Sequence, residues 1–162
     1  RHAGEAVDAS LENAAGRSFT GPLSLGTLAL ATSDPARRAD ALRDGERMLG
    51  EGCVSHNHFW FRRDAIEVCL STGDFEGASA QADALTAYTA DEALGWPDLY
   101  VTLARSVVAA AGDGWTPERV SLLHAARLQA QSAGFAVFVR LSGGFIPGSP
   151  DMAPRVQPIG PT

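Results

Sequence analysis

Apolar residues recur along most of this chain at helical spacing, and short glycine-containing or polar segments interrupt them. Asp34-Pro35 and Thr116-Pro117-Glu118 are helix-start signals, because a capping side chain precedes a proline that fits the first turn. No strand pattern occurs before residue 135. The pattern predicts an all-α protein of about seven helices, at 5–15, 21–31, 35–49, 57–72, 75–88, 98–111 and 117–133.

The character of the sequence changes after Gly134. The run "FAVFVRL" at 135–141 is either a short β-prone segment or a last hydrophobic strap over the final helix. Residues 142–162 are rich in proline and glycine and predict an extended tail. We therefore divide the chain into a helical-repeat domain at 1–134 and a C-terminal strap with an extended tail at 135–162.

The predicted helices fall into hairpins that repeat along the chain. The pairs are 21–31 with 35–49, 57–72 with 75–88, and 98–111 with 117–133, and they start roughly 36 to 41 residues apart. In the central hairpin, Gly73 in the turn, Phe75 and Ala78 are similar to the glycine–aromatic–alanine pattern of tetratricopeptide repeats. This spacing predicts an α-solenoid of tetratricopeptide-like helical hairpins.

The segment "CVSHNHFWFRRDAIEVCL", at 53–70, holds both cysteines and is unusually rich in rings. On a helical wheel its apolar residues span roughly 200°, more than one packing face needs. This width indicates a helix that is buried on two sides. Arg62 lies inside the apolar arc, so its charge must reach the surface or pair with an acidic residue.

Trp60 projects from the polar stripe of the same helix. One interpretation is that a neighbouring hairpin or loop covers this ring, since tryptophan is usually largely buried. The other places it on a ligand-facing groove, where tryptophan and arginine concentrate binding energy. The candidate partner-binding residues are Trp60, Arg63, Asp64, Glu67, Trp96 and Tyr100.

Composition and charge exclude several classes of function. The formal net charge of −6 gives no general attraction for nucleic acid or for anionic lipid. All the basic residues are arginine, which excludes a phosphate-loop lysine and a Schiff-base lysine. The longest uncharged run, at 18–33, is shorter than a membrane span and predicts a buried helix.

Cys53, His56 and His58 are the residues most suited to chemistry. They could ligate zinc, or Cys53 and His56 could form a thiol–imidazole pair, but the spacing matches no standard zinc motif and nothing indicates an oxyanion hole. Cys69 is better explained as a small core residue. We predict no catalytic residue, no metal and no cofactor. Two cysteines make no disulfide framework, which favours a reducing cytoplasm.

Residues 17–112 resemble the C-terminal helical-repeat region of large bacterial signalling proteins. In that family a class III adenylate/guanylate cyclase domain is followed by a nucleotide-binding ATPase domain and then by tetratricopeptide-like repeats. The residues that carry the resemblance are "RSFTGP" at 17–22, "DPARR" at 34–38, "GCVSHNH" at 52–58 and "RDAIE" at 63–67.

The resemblance implies a regulatory or protein-binding module and brings no catalytic residue with it. We therefore expect a non-enzymatic module for protein–protein or interdomain interaction, whose partner is a protein, a peptide or another domain of the parent chain. Related repeat regions also end ATP-dependent transcriptional regulators. The alternative is thus a small-molecule effector sensor, with an apolar pocket lined by Phe59, Phe61 and Trp115. The oligomeric state is left open.

Overall fold

The chain is described here by a computed structural model that covers residues 7, 11–12, 14–92 and 94–149. Over these residues every regular element is an α-helix, which confirms the all-α prediction. The helices are α1 (Ala14–Ala31), α2 (Pro35–Glu51), α3 (His56–Thr72), α4 (Phe75–Tyr88), α5 (Gly95–Asp113), α6 (Pro117–Ser132) and α7 (Ala136–Gly143).

The predicted start signals of α2 and α6 are confirmed. Asp34 caps α2, because its Oδ1 accepts hydrogen bonds from the backbone N–H of Ala36 at 2.9 Å and of Arg37 at 3.4 Å. Thr116 caps α6 by accepting from the Arg119 N–H at 3.3 Å. All the helices from α2 to α6 lie within a few residues of their predicted bounds.

The predicted break between a helix at 5–15 and a second helix at 21–31 is wrong. Helix α1 runs without interruption from Ala14 to Ala31 and contains Pro22. Most of the predicted helix 5–15 lies outside the described residues. Proline usually ends a helix because it lacks an N–H and its ring crowds the preceding turn. In this chain the side chain of Asn57 bonds to the backbone on both sides of the proline.

The segment 135–141 is helical rather than a strand, and it packs on α6, in agreement with the alternative of a hydrophobic strap over the final helix. Gly134 has a φ of +79°, which lets the chain reverse after α6 and begin α7. Phe138 is fully buried, and its ring meets Tyr100 edge-on at 5.2 Å. Packing on this neighbour overrides the β propensity of the run. The turns that follow α7 bury Ile146, and residues 150–162 of the predicted tail lie outside the described residues.

The chain divides into two compact units, 1–68 and 69–162, and the division falls within α3. In the first unit α1 packs on α2, around a core that includes Leu25, Leu28, Met48 and Val68. In the second unit α5 packs on α4 and on α6, and α7 packs on α6. The predicted boundary at residue 134 stays a prediction. No helix of the described residues is long and apolar enough to cross a bilayer.

Candidate functional site

The candidate surface on α3 is held in place by a buried asparagine at the start of the helix. Asn57 is fully buried, and its Oδ1 accepts a hydrogen bond from the Leu23 N–H at 3.2 Å. Its Nδ2 donates to the carbonyl oxygens of Ser18 at 3.3 Å and of Phe19 at 3.0 Å. All three partners belong to α1 and flank Pro22.

These bonds explain how α1 continues through Pro22. The proline has no N–H, so the Ser18 carbonyl lacks its intrahelical donor. Asn57 supplies one donor to this carbonyl, and the backbone N–H of Val54 supplies another at 3.1 Å. Asn57 Nδ2 also donates to the Val54 carbonyl at 3.1 Å, which closes the turn before α3. The segment "CVSHNH" therefore fastens α3 to α1.

Gly26, one turn after Pro22, lets α1 and α3 approach closely. A Cβ added to Gly26 would lie 3.1 Å from the Asp64 Cβ and 3.4 Å from the Phe61 Cα. The Asp64 side chain is only 1% exposed, and its Oδ2 accepts from the Thr27 hydroxyl at 3.4 Å. Asp64 thus lies between the two helices instead of projecting into a groove.

Asp64 orients the cation beside it on α3. The Arg63 Nε donates to Asp64 Oδ1 at 2.7 Å, and the guanidinium carbon of Arg63 lies 4.6 Å from the centroid of the Trp60 ring. Burial raises the pKa of the Asp64 carboxyl, while Arg63 and Thr27 oppose that rise. The result is an ordered stack of a cation on an aromatic ring. Trp60 is 37% exposed, so the ring remains at the surface of its unit.

The predicted site residues belong to both units. Trp60, Arg63 and Asp64 form one cluster, and Glu67 lies one turn further along α3, half-buried. The remaining two residues belong to the second unit, in α5, and they contact each other. Trp96 and Tyr100 meet edge-on with ring centroids 6.2 Å apart, and Tyr100 is only 4% exposed. Tyr100 is therefore a core residue of its unit.

Arg62 and Asn57 both make structural contacts that the sequence analysis did not assign. Arg62 pairs with Glu46 of α2, with its Nη1 donating to Oε1 at 3.0 Å, which confirms the expectation of an acidic partner. The role of Asn57 was missed. Two features of the sequence could have indicated this role. Asn57 is a polar residue on the buried stripe of α3, one turn before Phe61, and a buried polar group needs a partner. The proline inside the apolar run of α1 leaves backbone groups that need partners too.

The cysteines and histidines of the quoted segment occupy packed positions. His56 meets Phe19 edge-on at 5.2 Å, and burial and the neighbouring Arg62 lower the pKa of His58. Burial raises the pKa of Cys53, and burial together with Asp74 raises the pKa of Cys69 to about 12. Both thiols therefore favour the protonated, weakly nucleophilic form at neutral pH.

Over the part of the chain that the structure describes, no three His, Cys, Asp or Glu side chains lie close enough together to hold a metal ion. The geometry defines an all-helical protein with an aromatic–cation cluster on α3. Comparison with protein-family models, with curated proteins and with solved structures finds no match to this chain.

Proposed function

We propose that this chain is a non-enzymatic helical module that binds a protein or peptide partner through the α3 surface around Trp60 and Arg63. The observation that carries the proposal is the stack of the Arg63 guanidinium on a tryptophan ring that stays 37% exposed. Tryptophan and arginine are the residues most often found at the energetic centres of protein interfaces. The hydrogen bond to Asp64 already orients the guanidinium of Arg63. Little conformational entropy is therefore lost when a partner covers the arginine.

The wider assignment follows the resemblance of residues 17–112. We propose that the module is the regulatory C-terminal part of a bacterial cyclase/ATPase-type signalling protein in the cytoplasm, built as an α-solenoid of tetratricopeptide-like hairpins. The positive φ of Gly73, +77°, and the full burial of Ala78 and Ala82 support the hairpin interpretation of the central repeat. A cyclase or ATPase domain encoded directly upstream would support this parent protein. A gene that encodes neither would contradict it.

The alternative, a small-molecule effector sensor, needs a cavity beside Phe61. This ring is fully buried against Gly45, and a Cβ added to Gly45 would overlap it. Phe61 therefore fills space that a ligand would need. The thiol–imidazole enzyme considered from the sequence needs a thiolate, whereas burial raises the pKa of Cys53. Both observations favour the binding module.

Quantitative capture of partners from a bacterial lysate tests the proposed function. The wild-type chain, Trp60→Ala, Arg63→Ala and Tyr88→Ala serve as baits. Tyr88 is the matched control, because it is an aromatic residue of the second unit with 38% exposure. We expect the two α3 variants to lose about tenfold or more of a specific partner, and Tyr88→Ala to retain it.

Thermal melts of the same four proteins separate binding from stability. Trp60→Ala should change the melting temperature by only a few degrees, on the order of the effect of a partly exposed side chain. Arg63→Ala should lower it further, because it leaves the buried Asp64 carboxyl without its cation. A large fall in melting temperature together with unchanged capture would assign Trp60 to packing and would overturn the proposed surface.

A further inference from the structure

The region around α6 and α7 has a charge opposite to that of the whole chain. The sequence carries 19 acidic and 13 basic residues, for a net charge of −6. Between Val120 and Ser149, however, there is no aspartate or glutamate, and the charged residues are Arg127 and Arg140. This stretch of an acidic protein is therefore positive.

Both arginines line one cleft. Helices α6 and α7 are joined by the turn at Gly134 and border an open cleft of about 380 Å³. Its lining residues are Arg127, Gln131, Gly134, Ala136, Val139 and Arg140. The volume lies at the lower end of the range of ligand pockets, which suits one or two inserted side chains. The lining combines two cations with small apolar residues.

Exposed apolar residues are concentrated on the same two helices and the turn between them. Among the described residues nine large hydrophobic side chains are exposed, and four of them lie between residues 122 and 137. These four are Leu122 (55%), Leu128 (66%), Phe135 (41%) and Val137 (44%). Such a concentration on two adjacent helices is typical of a docking surface rather than of scattered surface residues.

We propose that the α6–α7 cleft binds an acidic amphipathic peptide segment of a partner protein. Carboxylates of the segment pair with Arg127 and Arg140, and an apolar side chain enters between Ala136 and Val139. Arginine is suited to this role because its planar guanidinium binds carboxylates bidentately. This cleft belongs to the second unit, whereas the α3 surface around Trp60 belongs to the first.

The charge pattern favours this occupant over two others. A nucleic acid requires a longer row of cations than two arginines on an acidic chain. A second copy of the chain, docked through the same cleft about a two-fold axis, would bring like-charged arginines together. An acidic peptide supplies the complementary charge, and its apolar face packs on Ala136 and Val139 of the lining.

Fluorescence anisotropy with two designed peptides tests the proposal. The first probe is a fluorescein-labelled peptide of leucine and glutamate, with leucines at i, i+3, i+4 and i+7 to form one apolar face. The matched probe has lysine in place of every glutamate. We expect the acidic probe to bind at least about tenfold more tightly than the lysine probe, and salt to weaken its binding. Equal affinities, or no binding of the acidic probe, would overturn the proposal.

Variants assign the binding to the cleft. Arg140→Glu should weaken the acidic probe by about tenfold or more, because it replaces an attraction with a repulsion. Arg43→Glu is the matched control, since Arg43 is an arginine of α2 with a 68% exposed side chain, distant in the sequence from the cleft residues. Trp60→Ala should leave the affinity unchanged, which separates this surface from the proposed function.

Two outcomes would contradict the assignment to a peptide partner. Binding that is insensitive to Arg140→Glu would place the probe elsewhere. A concentration-dependent dimer in sedimentation that Val137→Glu dissociates would assign the surface to a second copy of the chain. Circular dichroism of each variant verifies that the helices are retained.

Discussion

Asn57 bonds to the backbone of α1 on both sides of Pro22. Its side-chain oxygen accepts from the Leu23 N–H at 3.2 Å, and its nitrogen donates to the Phe19 carbonyl at 3.0 Å. A residue of α3 thus compensates for the donor that a proline removes from the middle of α1. This contact joins positions more than thirty residues apart in the sequence.

Asn57→Ala is expected to lower the free energy of unfolding by about 2–4 kcal/mol, because each buried group left without a partner costs about 1–3 kcal/mol. Urea denaturation followed by circular dichroism measures the change. The groups at risk are the Leu23 N–H and the carbonyls of Ser18 and Phe19, which bond in part-buried contacts to the fully buried Asn57 side chain.

Pro22→Ala provides the control for that prediction in a double-mutant cycle. Alanine restores an N–H that can donate to the Ser18 carbonyl within α1. Asn57→Ala should therefore cost less in the Pro22→Ala background than in the wild type. An identical cost in both backgrounds would show that Asn57 stabilises the fold independently of the proline.

Two glycines of α2 should respond to alanine in opposite directions. A Cβ at Gly45 would overlap the Phe61 ring, so Gly45→Ala should destabilise by about 1–3 kcal/mol through overpacking. Gly50 has no atom within 4 Å of its added Cβ, so Gly50→Ala should stabilise by about 0.5–1 kcal/mol through helix propensity. Urea denaturation of both variants measures the effects. A stable Gly45→Ala variant would mean that α2 and α3 pack less closely than described.

The buried carboxyl of Asp64 predicts a pH dependence of stability. Burial raises its pKa in the folded protein above the value of about 3.9 in an unfolded chain, so the folded state holds the proton more tightly. The stability from the protonated form is fully present below about pH 4 and is lost as the pH rises through the folded pKa.

Comparison with Asp64→Asn isolates this contribution. Asparagine carries no such proton, and the other titrating groups are common to both proteins. The free energy of unfolding of the wild type, minus that of the variant, should therefore fall as the pH rises from about 4 to 7. A difference that grows with pH would mean that the ion pair with Arg63 outweighs the burial of the carboxyl.

The two cysteines should differ in reactivity. Cys69 is 4% exposed and its pKa is raised to about 12, so almost no thiolate forms at pH 8. Cys53 is half-buried and its pKa is raised by burial alone. We expect a thiol reagent to label Cys53 slowly in the native protein, and to label Cys69 only after unfolding in urea. Mass spectrometry of wild type and Cys53→Ala counts the labels, and rapid native labelling of Cys69 would contradict its burial.

Local signals predicted those elements whose ends depend on nearby residues. Asp34-Pro35 and Thr116-Pro117 predicted the starts of α2 and α6, because a cap and its N–H partners lie within three residues of each other. The same reasoning failed at Pro22, since the group that allows the helix to continue is Asn57, more than thirty residues away. At 135–141 it left two alternatives open, and burial of Phe138 selects a helix that packs on α6.

The candidate site shows the same difference at the level of side chains. The polar stripe of α3 correctly placed Trp60 and Arg63 beside each other, because helical periodicity brings residues three apart onto one face. Periodicity alone did not reveal that Asp64 turns toward Thr27 of α1 or that Tyr100 packs on Phe138. Those contacts join different helices.

The sequence by itself determined the all-helical class, the bounds of most helices and the burial of Phe61 and Cys69 on α3. Tertiary structure alone decided that α1 continues through Pro22, that Arg62 pairs with Glu46, and that two arginines line the α6–α7 cleft. The physical reason is range. Helix propensity and capping act within a few residues, whereas burial and hydrogen-bond satisfaction depend on partners that only folding brings together.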